Sequence, residues 1–332
     1  MMYAVASISS VGCTFLDWSI HFLSNQNYFY NIDKGVIPLT YNPLTKQNAH
    51  VHEKNQPANQ AKTQEFIDIL KREEPSLPLL SIYPVMSAGS IEYAPWDDVE
   101  KYLFDEFVKC LATCKKEGLK TILVGQPTNN IYFNSIREIP RFFKKTSTSE
   151  EMFRELQFDY FFDTKQKESA WSGLDNVWDK REFIALNWRP LSYPFEKFNL
   201  YDSAMDNVDF YIDPYDLWFN GEAILKQVLN LLSLDLDESR LLEWLPVYYE
   251  WQKIHIKSLR LSWNLDHIVN CIVQGLYFDL SSFDLSLMDE AAILHVLIYK
   301  HNLNIKGYGV EKFMDTKQLH GLLEANIHTL SE

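Results

Sequence analysis

The sequence predicts an α/β fold in three layers, a parallel sheet with helices on both faces, continued by a helical extension towards the C-terminus. Three observations predict it. Short, mainly apolar runs at residues 3–8, 79–85, 120–124, 183–187 and 208–212 have the length and apolarity of strands buried on both faces. Helical periodicity follows several of those runs, as it does in βαβ units. Past residue 212, the segments 224–232, 239–254, 265–276 and 288–300 all carry helical spacing with no convincing strand between them. The chain therefore divides into an α/β core over residues 1–238, with an insertion at about 25–60, and a helical extension over 239–332 packed on that core.

Composition narrows the possible functions. With 46% hydrophobic and 14% aromatic residues there is material for a large core, and 23% charged residues is near the globular norm, so extensive disorder is excluded. A formal charge of −14 opposes generic nucleic-acid binding, which draws its affinity from Lys and Arg spread over a broad surface. Any phosphate site must then be local. The four cysteines, Cys13, Cys110, Cys114 and Cys271, are too few for a disulfide scaffold and point to a reducing, cytoplasmic setting. No Lys or Arg precedes Lys34, and Ser7, Ser9 and Ser10 interrupt the apolar N-terminus, which argues against a signal peptide. No run approaches the ~20 apolar residues that span a bilayer, so no membrane partner is expected. Nothing in the sequence sets an oligomeric state.

The first strand runs into Ser7-Ile8-Ser9-Ser10-Val11-Gly12-Cys13-Thr14, and a helix face of Phe15, Leu16, Ile20 and Leu23 follows. A buried strand, a tight turn and a helix in that order make the phosphate-binding arrangement of P-loop proteins. Backbone N–H groups point into the turn, and the helix dipole adds positive potential. Gly12 can take the backbone angles of a tight turn, and Thr14 stands where a hydroxyl reaches a phosphate oxygen. The nucleotide pattern GxxxxGK[ST] is half met, with Ser7 at its first Gly and Cys13 at its Lys. Residues 25–60 are rich in Asn, Gln, Thr and His and are broken by Pro43 and Pro57; they read as a substrate lid or as a flexible excursion. Residues 96–117 form an amphipathic helix with Val99, Leu103, Phe107 and Leu111 on one face, ended by Gly118.

The turn resembles that of the P-loop sulfotransferase family, whose loop reads roughly [KR]-S-G-T-T-[WFL]-L and grips the 5′-phosphosulfate of 3′-phosphoadenosine 5′-phosphosulfate. Ser10, Val11, Gly12, Cys13, Thr14, Phe15 and Leu16 occupy those places, with Ser9 beside them. The run from Val208 to Leu217 and the acidic linker Asp237-Glu238 before another helix are similar to the family's strand, Y-E-D-L and following helices. Thr121 to Pro127 looks like the family's strand ending in V-R-[DN]-P, which supplies an Arg and a later Ser to the 3′-phosphate. The resemblance implies a P-loop-type fold, a phosphorylated adenine nucleotide as partner, and sulfonate transfer to an acceptor that the sequence does not specify. Asn129, Asn134, Ser135 or Arg137 could meet the 3′-phosphate in place of the family's Arg, and Ser135 or Arg137 are the residues expected there.

The chain departs from the family at its cations. Ser10 stands where a Lys or Arg offsets charge on the sulfonate, and Gly125 where the 3′-phosphate Arg belongs. Charge-assisted contacts to phosphate are roughly twice as strong as neutral ones, so other cations must replace these or the activity has changed. Arg189, just past the run at 183–187, is a candidate because open α/β sheets bind ligands beyond strand C-terminal ends; a residue of the insertion is another. Arg137, Arg141, Lys144 and Lys145 form a basic cluster, read as a solvated helix face or as phosphate contacts. His21, two turns along the first helix from Thr14, is either a general base for an acceptor hydroxyl or a structural histidine. His50 and His52 lack third and fourth ligands, so no metal is expected. The alternative is a catalytically inactive nucleotide-binding or assembly module on the same fold. A kinase or hydrolase is disfavoured by the missing loop Lys.

Overall fold

Hydrophobic runs that alternate between two covered faces make the sheet. The computed structural model of the chain describes residues 1–7, 11–39, 54–83, 96–125 and 200–274, together with Tyr132 and Ile136. Chain order gives β1 (Tyr3–Ser7), α1 (Cys13–Leu23), β2 (Tyr28–Asn31), β3 (Gly35–Pro38), α2 (Gln60–Glu73), β4 (Leu79–Ile82) and α3 (Trp96–Lys116). There follow β5 (Lys120–Val124), α4 (Leu200–Met205), β6 (Phe210–Ile212), α5 (Pro214–Phe219), α6 (Gly221–Leu231) and α7 (Glu238–Gln274). The chain forms two compact units, residues 1–128 with 194–256, and residues 129–193 with 257–332. The first unit carries the sheet. In the second, the described residues are Tyr132, Ile136 and 257–274, which continue α7.

Four strands pair in the order β4-β1-β5-β6, all parallel. β1 is internal, and every one of its residues is buried. Its even positions, Ala4 and Ala6, pack with Leu80, Ile82 and Leu123 against Ile67 and Leu70 of α2 and Phe104, Phe107, Leu111 and Cys114 of α3. Its odd positions face α1, where the Tyr3 hydroxyl meets His21 and where Ser81 of β4 meets Asp17. Helices therefore cover both faces, as the apolar runs at 3–8, 79–85, 120–124 and 208–212 require. The run at 183–187 and the helical segment at 288–300 lie outside the described residues.

Two regions differ from expectation. The insertion at 25–60 contains an antiparallel hairpin, β2–β3, closed by Asn31, whose side-chain oxygen accepts from the N–H groups of Asp33 and Lys34. Asn55, itself buried, ties that hairpin to the sheet: its Oδ1 accepts from Ile32 N–H at 2.8 Å, and its Nδ2 donates to Tyr30 and Leu79 carbonyls at 2.9 Å. Residues 40–53, His50 and His52 among them, lie outside the described residues. The expected helices at 239–254 and 265–276 are one 37-residue helix, α7, because residues 255–264 hold no Gly or Pro and Pro246 does not end it.

Candidate functional site

The chain leaves β1 for β4 on one side and returns on the other side for β5, so the winding reverses beside β1. Open α/β sheets bind ligands at the carboxyl ends of strands at such a reversal. The end of β1 and the start of α1 lie there. Gly12 adopts φ 106° and ψ 15°, a left-handed conformation that favours glycine, and its carbonyl accepts the first helical bond from Leu16 N–H at 3.0 Å. The cap residue of α1 is Gly12, which has no side chain to offer, and the first turn holds no acidic residue; the N–H groups of Cys13, Thr14 and Phe15 have no acceptor within the helix, as at any helix start. Val11, Cys13 and Phe15 are buried, whereas Gly12 and Thr14 are partly exposed. The arrangement can receive an anion at a helix N-terminus.

Aromatic packing closes one side of this turn. Phe15 and Trp251 stack with ring centroids 4.2 Å apart, and a Cβ built on Gly12 would lie 2.5 Å from Cζ2 of the same indole. Trp244 and Tyr248 join the stack and are buried, so this stripe of α7 is core.

Beneath the turn sits a buried polar cluster that sequence reasoning missed. Lys54 Nζ pairs with Asp17 Oδ2 at 2.8 Å, with side chains 2% and 0% exposed, and donates to the Tyr83 hydroxyl at 2.7 Å. Asp17 Oδ2 also accepts from Ser81 Oγ at 3.4 Å, while Oδ1 has no partner. Burial works against the Lys54 charge, but Asp17, with Tyr83 and Cys13 adding to it, holds the ammonium above the usual lysine range. Burial pushes the Asp17 carboxyl up, and Lys54 pulls it back. The Cys13 thiol is pushed up to about 12, chiefly by burial, with Lys54 opposing. It is a protonated thiol at neutral pH and so a weak nucleophile. Asp17 had one sequence signal, a single carboxylate inside an apolar helix; Lys54, in a polar segment, had none.

No family model matches this chain, and neither a curated protein nor a solved structure matches it.

Of the residues expected at the site, Val11, Gly12, Cys13, Thr14 and Phe15 form the turn and the head of α1; Ser9, Ser10, Ser135, Arg137 and Arg189 lie outside the described residues. His21 is not brought to the turn. It neighbours Tyr3 at the start of β1, a strand's length of about 13 Å from Ser7 at its end. Its Nδ1 lies 3.0 Å from the Asp17 carbonyl and 3.2 Å from the Tyr3 hydroxyl, and its Nε2 3.3 Å from the Leu77 carbonyl. Burial pushes its pKa down to about 4, so the ring is neutral and structural. Among the described residues no group of three or more His, Cys, Asp or Glu could hold a metal, and no helix is long and apolar enough to cross a membrane.

A second feature lies on the same unit. A cleft of about 350 Å³ separates the start of α6 from α7 and is lined by Phe219, Gly221, Leu245, Tyr248, Tyr249 and Gln252, among others. Phe219 and Tyr249 on its wall are 47% and 51% exposed, and Leu242, one turn before Leu245, is 73% exposed.

Proposed function

We propose that the protein is a P-loop-type, sulfotransferase-like protein that binds a phosphorylated adenine nucleotide at the β1–α1 turn. The observation that carries this reading is left-handed Gly12 at the uncapped head of α1, at the carboxyl end of an internal parallel strand. The nucleotide is 3′-phosphoadenosine 5′-phosphosulfate, and the reaction is in-line transfer of its sulfonate to an acceptor hydroxyl or amine. Residues Ser9 to Phe15 cradle the 5′-phosphosulfate, Ser135 or Arg137 meets the 3′-phosphate, and Arg189 adds positive charge. Calorimetric titration with adenosine 3′,5′-bisphosphate tests it. Binding that weakens in Thr14→Ala is the expected result; no heat with the unaltered chain and no change in the variant would sink the reading.

A second reading, a catalytically inactive binding or assembly module, is favoured by the exposed Phe219, Leu242 and Tyr249 around the α6–α7 cleft. It predicts nucleotide binding without sulfonate transfer to any acceptor in a panel of alcohols, phenols and amines. Release of adenosine 3′,5′-bisphosphate with one such acceptor would exclude it.

A further inference from the structure

An anion site without a cation is weak, and neither Ser10 nor Cys13 in the turn brings one. A buried ammonium nevertheless sits on Asp17, one helical turn along α1 from Cys13, the residue at the place of the P-loop Lys. Lys54 and Cys13 are close enough for each to bias the other's ionisation. Lys54 arrives from another part of the chain, the segment that Asn55 pins against β4 through its contacts to the Leu79 carbonyl and the Ser81 N–H. Three further features mark the cluster as more than packing. Asp17 holds the ammonium through one carboxylate oxygen, and the other oxygen, fully buried, has no partner. Asp17 and Tyr83 take two of the three ammonium donors. The Ser7 hydroxyl, buried at the end of β1 beside the Cys13 thiol, makes no hydrogen bond of ordinary geometry. Buried polar groups are normally satisfied, and a half-satisfied network is costly unless something else completes it. A buried ion pair is also poor evidence of stability in itself, since an apolar pair of similar volume does as well.

We propose that Lys54 is the positive charge of the anion site at the head of α1, and that Asp17 holds it in reserve and competes with the bound anion for it. This deepens the nucleotide-binding reading and rests on it. An anion on the first-turn N–H groups of α1 draws the ammonium from Asp17 Oδ2, and the Ser7 hydroxyl completes its contacts. Removing Lys54 weakens anion binding, and removing the Asp17 charge strengthens it, but only while Lys54 is present.

The test is titration of four proteins with adenosine 3′,5′-bisphosphate: unaltered chain, Lys54→Met, Asp17→Asn, and Lys54→Met with Asp17→Asn. A charge-assisted contact predicts a loss of about tenfold or more in Lys54→Met. A gain of roughly threefold or more in Asp17→Asn is expected, and its disappearance in the double variant. If Lys54→Met does not fold, the double variant, which buries no unpaired charge, is compared with Asp17→Asn, and equal affinities overturn the proposal. So does unchanged affinity in Lys54→Met, or a gain that survives in the double variant, which would be general repulsion by Asp17. Absence of binding by the unaltered chain instead overturns the nucleotide reading and this inference with it.

Discussion

The indole of Trp251 lies flat on the Phe15 ring, the planes 10° apart, and its edge fills the space where a Cβ on Gly12 would stand. One ring thus rests on the first helical turn and on the residue that starts it. Gly12→Ala meets two penalties together, the left-handed backbone and the collision with Cζ2. We expect a loss of about 2–4 kcal/mol in urea denaturation. Pairing it with Trp251→Phe recovers part of that loss, because the smaller ring withdraws the clashing edge. Equal losses in the single and double variants would remove Trp251 as a cause.

His21 makes the fold acid-sensitive. Its folded pKa of about 4 lies below the ordinary 6.5, so the unfolded chain takes up a proton over this range that the folded ring refuses. Stability from this group is full above about pH 6.5 and falls as pH drops to about 4, by roughly 3 kcal/mol in all. Denaturation midpoints at pH 7.0, 5.5 and 4.5 measure the slope. His21→Gln flattens it; an unchanged slope would assign the sensitivity to another group.

Lys54→Met leaves Asp17 buried without its partner, and stability falls by about 3–5 kcal/mol. Replacing both, with Lys54→Met and Asp17→Leu, restores most of it, since a matched apolar pair costs little. Thermal melting of the three proteins at pH 7 reads the difference. A double variant as unstable as the single would show that Ser81 or Tyr83, and not the unpaired charge, sets the penalty.

Arg240 at the start of α7 fastens the end of α1. Its guanidinium donates to the Phe22 and Gln26 carbonyls at 3.1 and 3.4 Å and to Asn27 Oδ1 at 2.7 Å, and it lies 5.2 Å from the Phe22 ring centroid. A cation at a helix C-terminus that also satisfies free carbonyls predicts a loss of about 1–2 kcal/mol in Arg240→Ala. Lys cannot reproduce the fork, so Arg240→Lys recovers less than half. Chemical denaturation of both variants checks it, and full recovery by Lys would reduce the contact to simple charge.

The strands were legible because parallel strands packed under helices are apolar at most positions, and α3 because its core face repeats at 99, 103, 107 and 111. The hairpin was not. Tyr28, Phe29 and Tyr30 are strand-formers, but Asn and Gln on both sides hid them, and only the buried Asn55 shows why the segment pairs. α2 escaped notice because its buried stripe is just Thr63, Ile67 and Leu70 in a polar helix. At the turn, Gly12 could be read from the need for a left-handed residue. The Asp17–Lys54 pair could not, because residues so far apart in the chain signal their contact only once β4 and the hairpin bring them together.

The aromatic stack also gives the molecule an optical readout of its own. Trp251 stacks on Phe15, and Trp244 stacks on Tyr248 with centroids 4.7 Å apart. Rings held this rigidly in an asymmetric environment give intense near-ultraviolet circular dichroism. Since Trp251 also abuts Gly12, any occupant that shifts the turn alters that spectrum. Occupancy can therefore be followed in the unlabelled protein, without attaching a dye beside the cysteine that the site would have to spare.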